Sequence, residues 1–434
     1  MEPIAHLRLV EKSEPPEYDE QTLKAHNENS GKYVAEALRC IELDKVGSFC
    51  GKIHDLGKAT KKFFDYIQPG NTLRRGEVNH TFAAVRYIFE MSDGVDNEVR
   101  ELLAYAVGAH HGQFDAVNDD HKNGFEHRLT KDGIDYDEAK KNFNKYCFSD
   151  AELKSQFNEA AEQLTEIIEG IRERNPKRSA RQAEEYEFQI SLLARLLLSA
   201  VIEGDRRDTA EFMESMEFPQ VEADWDECLG HIEEKLGKFS NTRPIDGARK
   251  QISDICRAAA EEEPGIFRLN VPTGAGKTLS GLRFAVAHAK THRKKRIIFT
   301  SPLLSILDQN AKIIREFIGD DNIITEHHSN VALDEDNADE LKRAQLLTEN
   351  WSSPVIITTL VQLLDTLFAG KTSCIRRMHA LCDSVIVIDE VQTVPNEMLS
   401  LFNTAVNFLS EVCGATIVSV SYTHLRAHET VLDL

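Results

Sequence analysis

The sequence predicts a multidomain fold: an all-α domain at the amino end, followed by a doubly wound α/β domain on a parallel sheet. Three observations predict it. Through residues 21–208 apolar side chains recur every three or four positions, the helical period. Beyond residue 245, short apolar runs alternate with helical stretches, as buried parallel strands with crossover helices do. And 434 residues are too many for one small core.

Taken in order, residues 1–20 are polar, contain Pro15-Pro16 and read as an extended lead-in. Tyr33, Val34, Ala37, Leu38 and Ile41 mark the apolar face of a first helix. Residues 112–135 break the helical pattern with Gly112, Asn118, Asp119, Asp120, Asn123 and Gly124, a surface loop. Residues 150–188 are charge-rich and helical, their glutamates and arginines mostly a solvated face. The longest apolar run, 190–202, is short and interrupted by Arg195, so it reads as a buried helix and not a membrane span. Residues 209–244 turn acidic around Trp225 and end in Asn241-Thr242-Arg243-Pro244. The expected organisation is therefore a helical domain over 1–215, a linker over 216–244 and an α/β domain over 245–420. Strands are expected at 267–271, 296–300, 322–325, 355–358, 385–388 and 415–420.

Composition narrows the function. A net charge of −21 argues against a surface that coats nucleic acid, because phosphate binding needs lysine and arginine to displace counterions. Any such contact must sit in a local groove. The eight cysteines form no Cys-x-x-Cys pair, so a zinc ribbon or disulfide framework is not expected. No basic-then-apolar leader is present, and the cytoplasm is the expected compartment.

Among 16 histidines, most are expected to be ordinary surface or core residues. One group stands out: His26, His54-Asp55 within Ile53-His54-Asp55-Leu56-Gly57-Lys58, His80, His110-His111 and Asp205. Imidazole with a few carboxylates is the donor set for borderline divalent cations. Each candidate falls in a helical stretch; Gly112 would end a helix and leave His110 and His111 near an opening. Two such ions would activate water and stabilise the leaving oxygen of a phosphoryl displacement.

A second group is a phosphate loop, Pro272-Thr273-Gly274-Ala275-Gly276-Lys277-Thr278, after a predicted strand and before a predicted helix. Its glycines let backbone N–H groups wrap a β-phosphate. Lys277 would reach the β and γ oxygens, and Thr278 would bind Mg²⁺ of an ATP. Val271 stands where the general pattern has glycine. Asp389-Glu390, ending a wholly apolar strand, would hold Mg²⁺ and position the attacking water.

The histidine–aspartate order resembles the HD phosphohydrolase superfamily, and the additional histidines resemble its dinuclear branch. That resemblance implies one ion on His26, His54, Asp55 and Asp205, and a second on Asp55, His80, His110 and His111. It also implies that Lys58 faces the scissile phosphate. Val271 and the Asp389-Glu390-Val391-Gln392 box resemble superfamily-2 helicases. So do Ser301-Pro302-Leu303-Leu304 with Gln309, and Thr358-Thr359-Leu360-Val361-Gln362, as two nucleic-acid contact segments meeting phosphates through hydroxyls and amides. Together, an HD domain followed by a RecA-like helicase domain resembles the CRISPR-associated helicase–nuclease of type I systems. The resemblance implies metal-dependent cleavage of single-stranded DNA with Mn, Fe, Ni or Co, ATP-driven translocation, and recruitment by a guide-RNA surveillance complex.

After Gly414-Ala415-Thr416-Ile417-Val418 that family continues into a second RecA-like domain. Here residues 421–434 resemble sequencing-adaptor read-through and are set aside as a foreign tail. Without a second lobe, weak ATP binding and no unwinding are expected. Two other functions remain open: an HD-type nucleotide phosphohydrolase, and a non-catalytic docking fragment.

Overall fold

A computed structural model describes residues 2–10, 16–73, 78, 80–114, 124–130, 135–218, 221–240, 242–328, 348–421 and, as backbone, 431–433. The chain divides into two compact units, Met1–Phe218 with Gly370–His379, and Pro219–Ala369 with Ala380–Leu434.

The first unit is helical, with one exception. Strands β1 (Ile4–Leu9) and β2 (Tyr18–Thr22) pair antiparallel, so the expected extended lead-in is a hairpin in its described part. Thr22 ends β2 and caps helix α1 (Leu23–Leu38), accepting the Ala25 N–H at 3.2 Å, which fixes where helix replaces strand. The helices that follow are α2 (Asp44–Ile53), α3 (Lys61–Ile67), α4 (Thr81–Met91), α5 (Asn97–Gly108), α6 (Gly124–Leu129), α7 (Tyr136–Tyr146) and α8 (Asp150–Arg174). Then comes α9 (Ala180–Met213), capped by Ser179. The expected buried helix is the middle of α9, where every residue from Leu196 to Gly204 is buried. A helix buried all round is the spine of its domain, and α1, α2, α5 and α8 pack on it. Helices α1 and α2 approach closely because both are glycine at the crossing. A Cβ on Gly51 would lie 2.7 Å from the Gly31 Cα.

The expected loop at 112–135 contains α6; residues 115–123 and 131–134, including Asn118, Asp119, Asp120 and Asn123, lie outside the described residues.

The second unit holds a seven-stranded sheet in the order β5-β6-β4-β7-β8-β3-β9, parallel throughout. Its strands are β3 (Ile266–Asn270), β4 (Arg296–Ser301), β5 (Ile324–His327), β6 (Val355–Thr359), β7 (Ser384–Ile388), β8 (Thr416–Ser421) and β9 (Val431–Asp433). All six expected strands are present, offset by a residue or two. Both parities are buried: Phe299 and Val387 face one way, Ile298 and Ile386 the other. Helices covering both faces give continuous apolar runs in place of alternation. The helices of this unit are α10 (Trp225–Gly237), α11 (Pro244–Ala259), α12 (Lys277–His292), α13 (Leu304–Ile318), α14 (Leu360–Phe368) and α16 (Leu399–Glu411), while α15 (Thr372–Ile375) belongs to the first unit.

Three expectations about organisation differ from the structure. Residues 216–244, expected to be a linker, contain α10, whose Cys228, Leu229 and Ile232 enter the second core. Three apolar residues on one face of an acidic helix leave little trace in composition. The stretch set aside as a foreign tail supplies Ser421 to β8 and strand β9 beside β3, while 422–430 and 434 lie outside the described residues. Finally, Gly370–His379 belongs to the first unit. Fully buried Arg376 donates from Nε to Glu203 Oε2 at 2.6 Å, and the Ser199 hydroxyl donates to the Arg376 carbonyl at 2.9 Å. A charge buried to that degree is stable only when paired.

Candidate metal centre and nucleotide site

Of the histidine–aspartate group, only His26 and Asp205 lie inside helices, on α1 and α9. His54 is the C-cap of α2, and Asp55 leaves helical geometry (φ −105°, ψ 21°) into a tight turn over Leu56–Lys58. His80 directly precedes α4, and His110 and His111 follow α5. The expectation that every candidate is helical therefore fails for five of seven. Helix ends let the chain turn inward and bring rings from separate helices to one place. Gly57 makes this possible: a Cβ there would overlap the His80 carbonyl oxygen.

The geometry prepares the rings as donors toward one point. Nδ1 of His54 lies 2.8 Å from the Gly51 carbonyl, and Nδ1 of His110 lies 2.6 Å from the Val107 carbonyl. A carbonyl only accepts, so Nδ1 carries the hydrogen and the lone pair of the neutral ring is on Nε2. The Nε2 atoms then gather around Asp55. Its Oδ2 lies 3.2 Å from His26 and 3.4 Å from His54; its Oδ1 lies 3.9 Å from His80 and 3.7 Å from His110. Asp205 Oδ1 closes the first group, at 3.5 Å from His26 Nε2 and 3.7 Å from His54 Nε2. His111 joins the second group, its Nε2 at 2.9 Å from that of His80.

Nε2 of His26, His54 and His110 and Asp55 Oδ1 are buried without a hydrogen-bond partner. Buried polar atoms left so are costly. Donor atoms of His26, His54, Asp55 and Asp205 all lie within 4.8 Å of one another, as do those of Asp55, His110 and His111. Borderline divalent ions fit both groups by donor chemistry.

The electrostatics agree. Burial disfavours a charged His26, but Asp205, Asp208 and Asp55 outweigh it and raise its pKa to about 10. His54, likewise penalised by burial, is raised to about 9 by Asp55 and Asp205. Burial would raise the Asp55 carboxyl, yet Lys58 and His54 hold it well below the usual range. His26 and His54 likewise overcome burial to hold Asp205 well below it. This is a pocket that favours positive charge. At the other rim, burial lowers His80 to about 4, which keeps its lone pair available. Lys58, itself buried, places Nζ 2.5 Å from Asp55 Oδ2.

Four residues of this site were not anticipated. Asp208, Gln21 and Asn29 form a polar group behind His26. His6, on β1, sets its ring edge-on to His26 with centroids 4.8 Å apart, and burial lowers its pKa to about 2. Asp208 follows Asp205 by three residues on one helix, a spacing that shares a face and was available as a signal. His6 had none, since only tertiary pairing brings β1 there.

The nucleotide site lies at the carboxyl ends of β3, β4 and β7. The loop after β3 takes Gly274 to φ 81° and Gly276 to φ 87°, conformations suited to glycine. Lys277 and Thr278 open α12. Lys277 Nζ is 3.1 Å from Glu390 Oε1. Glu390 stands at φ 51°, a strained setting for a side chain with a Cβ. Burial, then Glu390, raises the Asp389 carboxyl above its ordinary range. Asn310 was missed: it accepts from the Thr278 hydroxyl at 3.0 Å and donates to Ser301 Oγ at 3.0 Å. Arg249 of α11 was missed too, and clasps the Gly274 carbonyl at 2.7 and 2.9 Å.

The expected nucleic-acid contacts are not all presented outward. Gln309 is exposed on α13, Pro302 is half-buried, and Ser301 is buried against Asn310. The Thr358 hydroxyl is buried and donates to the His327 carbonyl at 2.6 Å, so it faces the sheet and not a strand of nucleic acid. Thr359 caps α14 by accepting the Gln362 N–H at 3.2 Å. Of the two segments, the start of α14 and the loop before α13 are the parts that reach solvent.

Fold and site together define a class: a helical HD-type metal-binding domain joined in one chain to a RecA-like nucleotide-binding domain. Residues 21–202 match the Cas3 HD domain and residues 253–423 the DEAD/DEAH box helicase domain. The helical part of the chain thus carries a Cas3-type HD domain and the α/β part a DEAD/DEAH box helicase domain. It is 22% identical over 468 residues to the CRISPR-associated nuclease/helicase Cas3 of Haloferax volcanii, an alignment covering 94% of this chain and 49% of that protein. Its fold is similar to T. fusca Cas3 bound to ADP (TM-score 0.55, 16% identity, 97% of this chain and 51% of that one). It is similar also to the ATP complex (TM-score 0.54, 17% identity, 93% and 48%). The chain thus spans about half the length of the relatives it matches.

Proposed function

We propose that this chain is a metal-dependent nuclease acting on single-stranded DNA, joined to an ATP-driven helicase module, and that it works in the cytoplasm in type I CRISPR interference. The observation that carries the reading is the division of Asp55. One carboxylate oxygen serves the His26–His54 group and the other the His80–His110 group, which suits two ions side by side. Such a pair, when bound, supplies activation of water and stabilisation of the leaving oxygen in phosphodiester cleavage. Manganese, iron, nickel and cobalt suit the imidazole-rich donors better than magnesium does.

The chain's own residues orient and charge the site. His54 and His110 are locked by their own helix-end carbonyls. Lys58 contributes a buried positive charge at the wall where a scissile phosphate would lie. In the second unit Lys277 would bind the β and γ oxygens of ATP, Thr278 and Asp389 would hold Mg²⁺, and Glu390 would orient the attacking water. Residues 273–278 would wrap the phosphates, with Thr273 and Ala275 contributing backbone amides. The half-buried Pro302, the exposed Gln309 and the Thr359–Gln362 cap would meet the DNA backbone. A guide-RNA surveillance complex is the proposed partner, in keeping with the similarity to the CRISPR-associated nuclease/helicase Cas3 of Haloferax volcanii.

The test is cleavage of circular single-stranded DNA by the purified chain with Mn²⁺. Cutting that is lost in His54→Ala and Asp55→Ala is expected. Hydrolysis of dNTPs with no effect on the circle would instead make it a nucleotide phosphohydrolase.

A further inference from the structure

Among the foreseen imidazoles of the metal cluster, His26 is held differently. His54 and His110 turn Nδ1 to a carbonyl three residues back in their own chain segment. His26, inside α1, has no such carbonyl to spare, because those oxygens accept helix bonds. Its Nδ1 instead meets Asp208 Oδ2 at 2.6 Å. Asp208 is 2% exposed and held from both ends. Gln21 Nε2 donates to Oδ2 at 2.8 Å, and Asn29 Nδ2 donates to Oδ1 at 2.8 Å. Three elements therefore meet on one carboxylate: β2 through Gln21, α1 through His26 and Asn29, and α9 through Asp208 itself.

We infer that Asp208 is the positioning residue of the metal centre, a buried carboxylate that aims His26 Nε2 at the ion shared with His54, Asp55 and Asp205 and strengthens it as a donor. The inference rests on reading the cluster as a metal site. With Nδ1 anchored, rotation about χ2 that would swap the ring nitrogens is blocked, and Nε2 stays 3.2 Å from Asp55 Oδ2 and 3.5 Å from Asp205 Oδ1. An anionic acceptor on Nδ1–H pushes electron density toward Nε2, which a neutral carbonyl does less well. Outer carboxylates of this kind set both ring orientation and ligand basicity. Gln21 and Asn29 use up oxygen lone pairs of Asp208 that could otherwise draw the carboxylate toward the ions, so it stays behind the ring as an acceptor. Asp208 is a positioning residue and touches neither ion nor substrate.

The experiment is calorimetric titration of the metal-free chain with Mn²⁺, comparing wild type with Asp208→Asn, Asp208→Ala, Gln21→Ala and His26→Ala. Asp208→Asn keeps size and a hydrogen-bond acceptor but loses the charge. It is expected to weaken one of the two ions roughly tenfold to a hundredfold while sparing the other. Asp208→Ala is expected to weaken the same ion further, Gln21→Ala less, and His26→Ala to remove it. Melting of each metal-free variant, followed by circular dichroism, is the control. An affinity loss in Asp208→Asn without a fall in metal-free melting separates aiming of the ring from general support of the fold; if Asp208→Ala does not fold, the isosteric amide carries the test. Wild-type Mn²⁺ affinity in Asp208→Asn, with one ion lost in His26→Ala, overturns the inference and leaves the metal centre intact. Unchanged binding in His26→Ala as well overturns the metal reading on which the inference stands.

Discussion

Asp55 offers two oxygens to two sets of rings, and the protons on those rings decide when a cation enters. His26 and His54, raised to about 10 and 9, are protonated at neutral pH in the metal-free chain. An ion needs the deprotonated nitrogen, so binding must expel protons. Mn²⁺ affinity should therefore strengthen as pH rises from 6 and level off near 10. Calorimetry in buffers of different ionisation heat should detect the released protons; a flat pH profile would count against these charges. The sign for stability is the opposite. A raised imidazole pKa contributes stability that is complete below about 6.5 and is lost as pH climbs through the folded values. The metal-free first unit should then melt at lower temperature at pH 10 than at pH 7. Asp55 and Asp205, held below the ordinary range, stay charged across that span and add no slope. At the other site, Lys277→Ala removes a charge-assisted contact to phosphate and should weaken ATP binding by about 1.5–3 kcal/mol, measurable with a fluorescent ATP analogue. Unchanged affinity would displace Lys277 from the site.

Elements decide where these residues can stand. The turn carrying His54, Asp55 and Lys58 fits under His80 only because position 57 has no side chain, and α2 reaches α1 only because Gly31 and Gly51 meet. Gly51→Val should force the two helices apart at a cost of about 1–3 kcal/mol or more, as overpacking does. Urea denaturation followed by circular dichroism would register it; wild-type stability would mean the helices yield more easily than backbone contact allows. The histidine–aspartate cluster that the structure gathers was legible in the sequence because type, order and the His54-Asp55 and His110-His111 pairs are local signals. The apolar strands were legible for the same reason, since parallel strands covered on both sides write their burial into consecutive residues. Other features depend on long-range pairing. The β1–β2 hairpin brings His6 beside His26, and α10 hides three core residues in an acidic stretch. Thr358 looked like a hydroxyl for nucleic acid, but its position at the end of a central strand gave it to the His327 carbonyl.

At the scale of the whole chain, two ligand chemistries are written in two units: imidazole–carboxylate in one, phosphate loop and acidic box in the other. Among the described residues no helix is long and apolar enough to cross a membrane. All eight cysteines are free, six of them buried. Each ligand should protect its own unit against opening, by about 2.7 kcal/mol at a hundredfold excess over its dissociation constant. Hydrogen exchange should show Mn²⁺ slowing α1, α2 and α9, and Mg-ATP slowing α12 and the loop before it. Protection of α12 by Mn²⁺ alone would misplace the metal site.

The arrangement around Asp55 is tested most directly by counting Mn²⁺ bound at equilibrium to the metal-free chain and recording its electron paramagnetic resonance. Two ions per chain with a spin-coupled spectrum are predicted for wild type, one uncoupled ion for His26→Ala, and none held tightly by Asp55→Ala. A single uncoupled ion in the wild type, or two that survive the loss of Asp55, would contradict it.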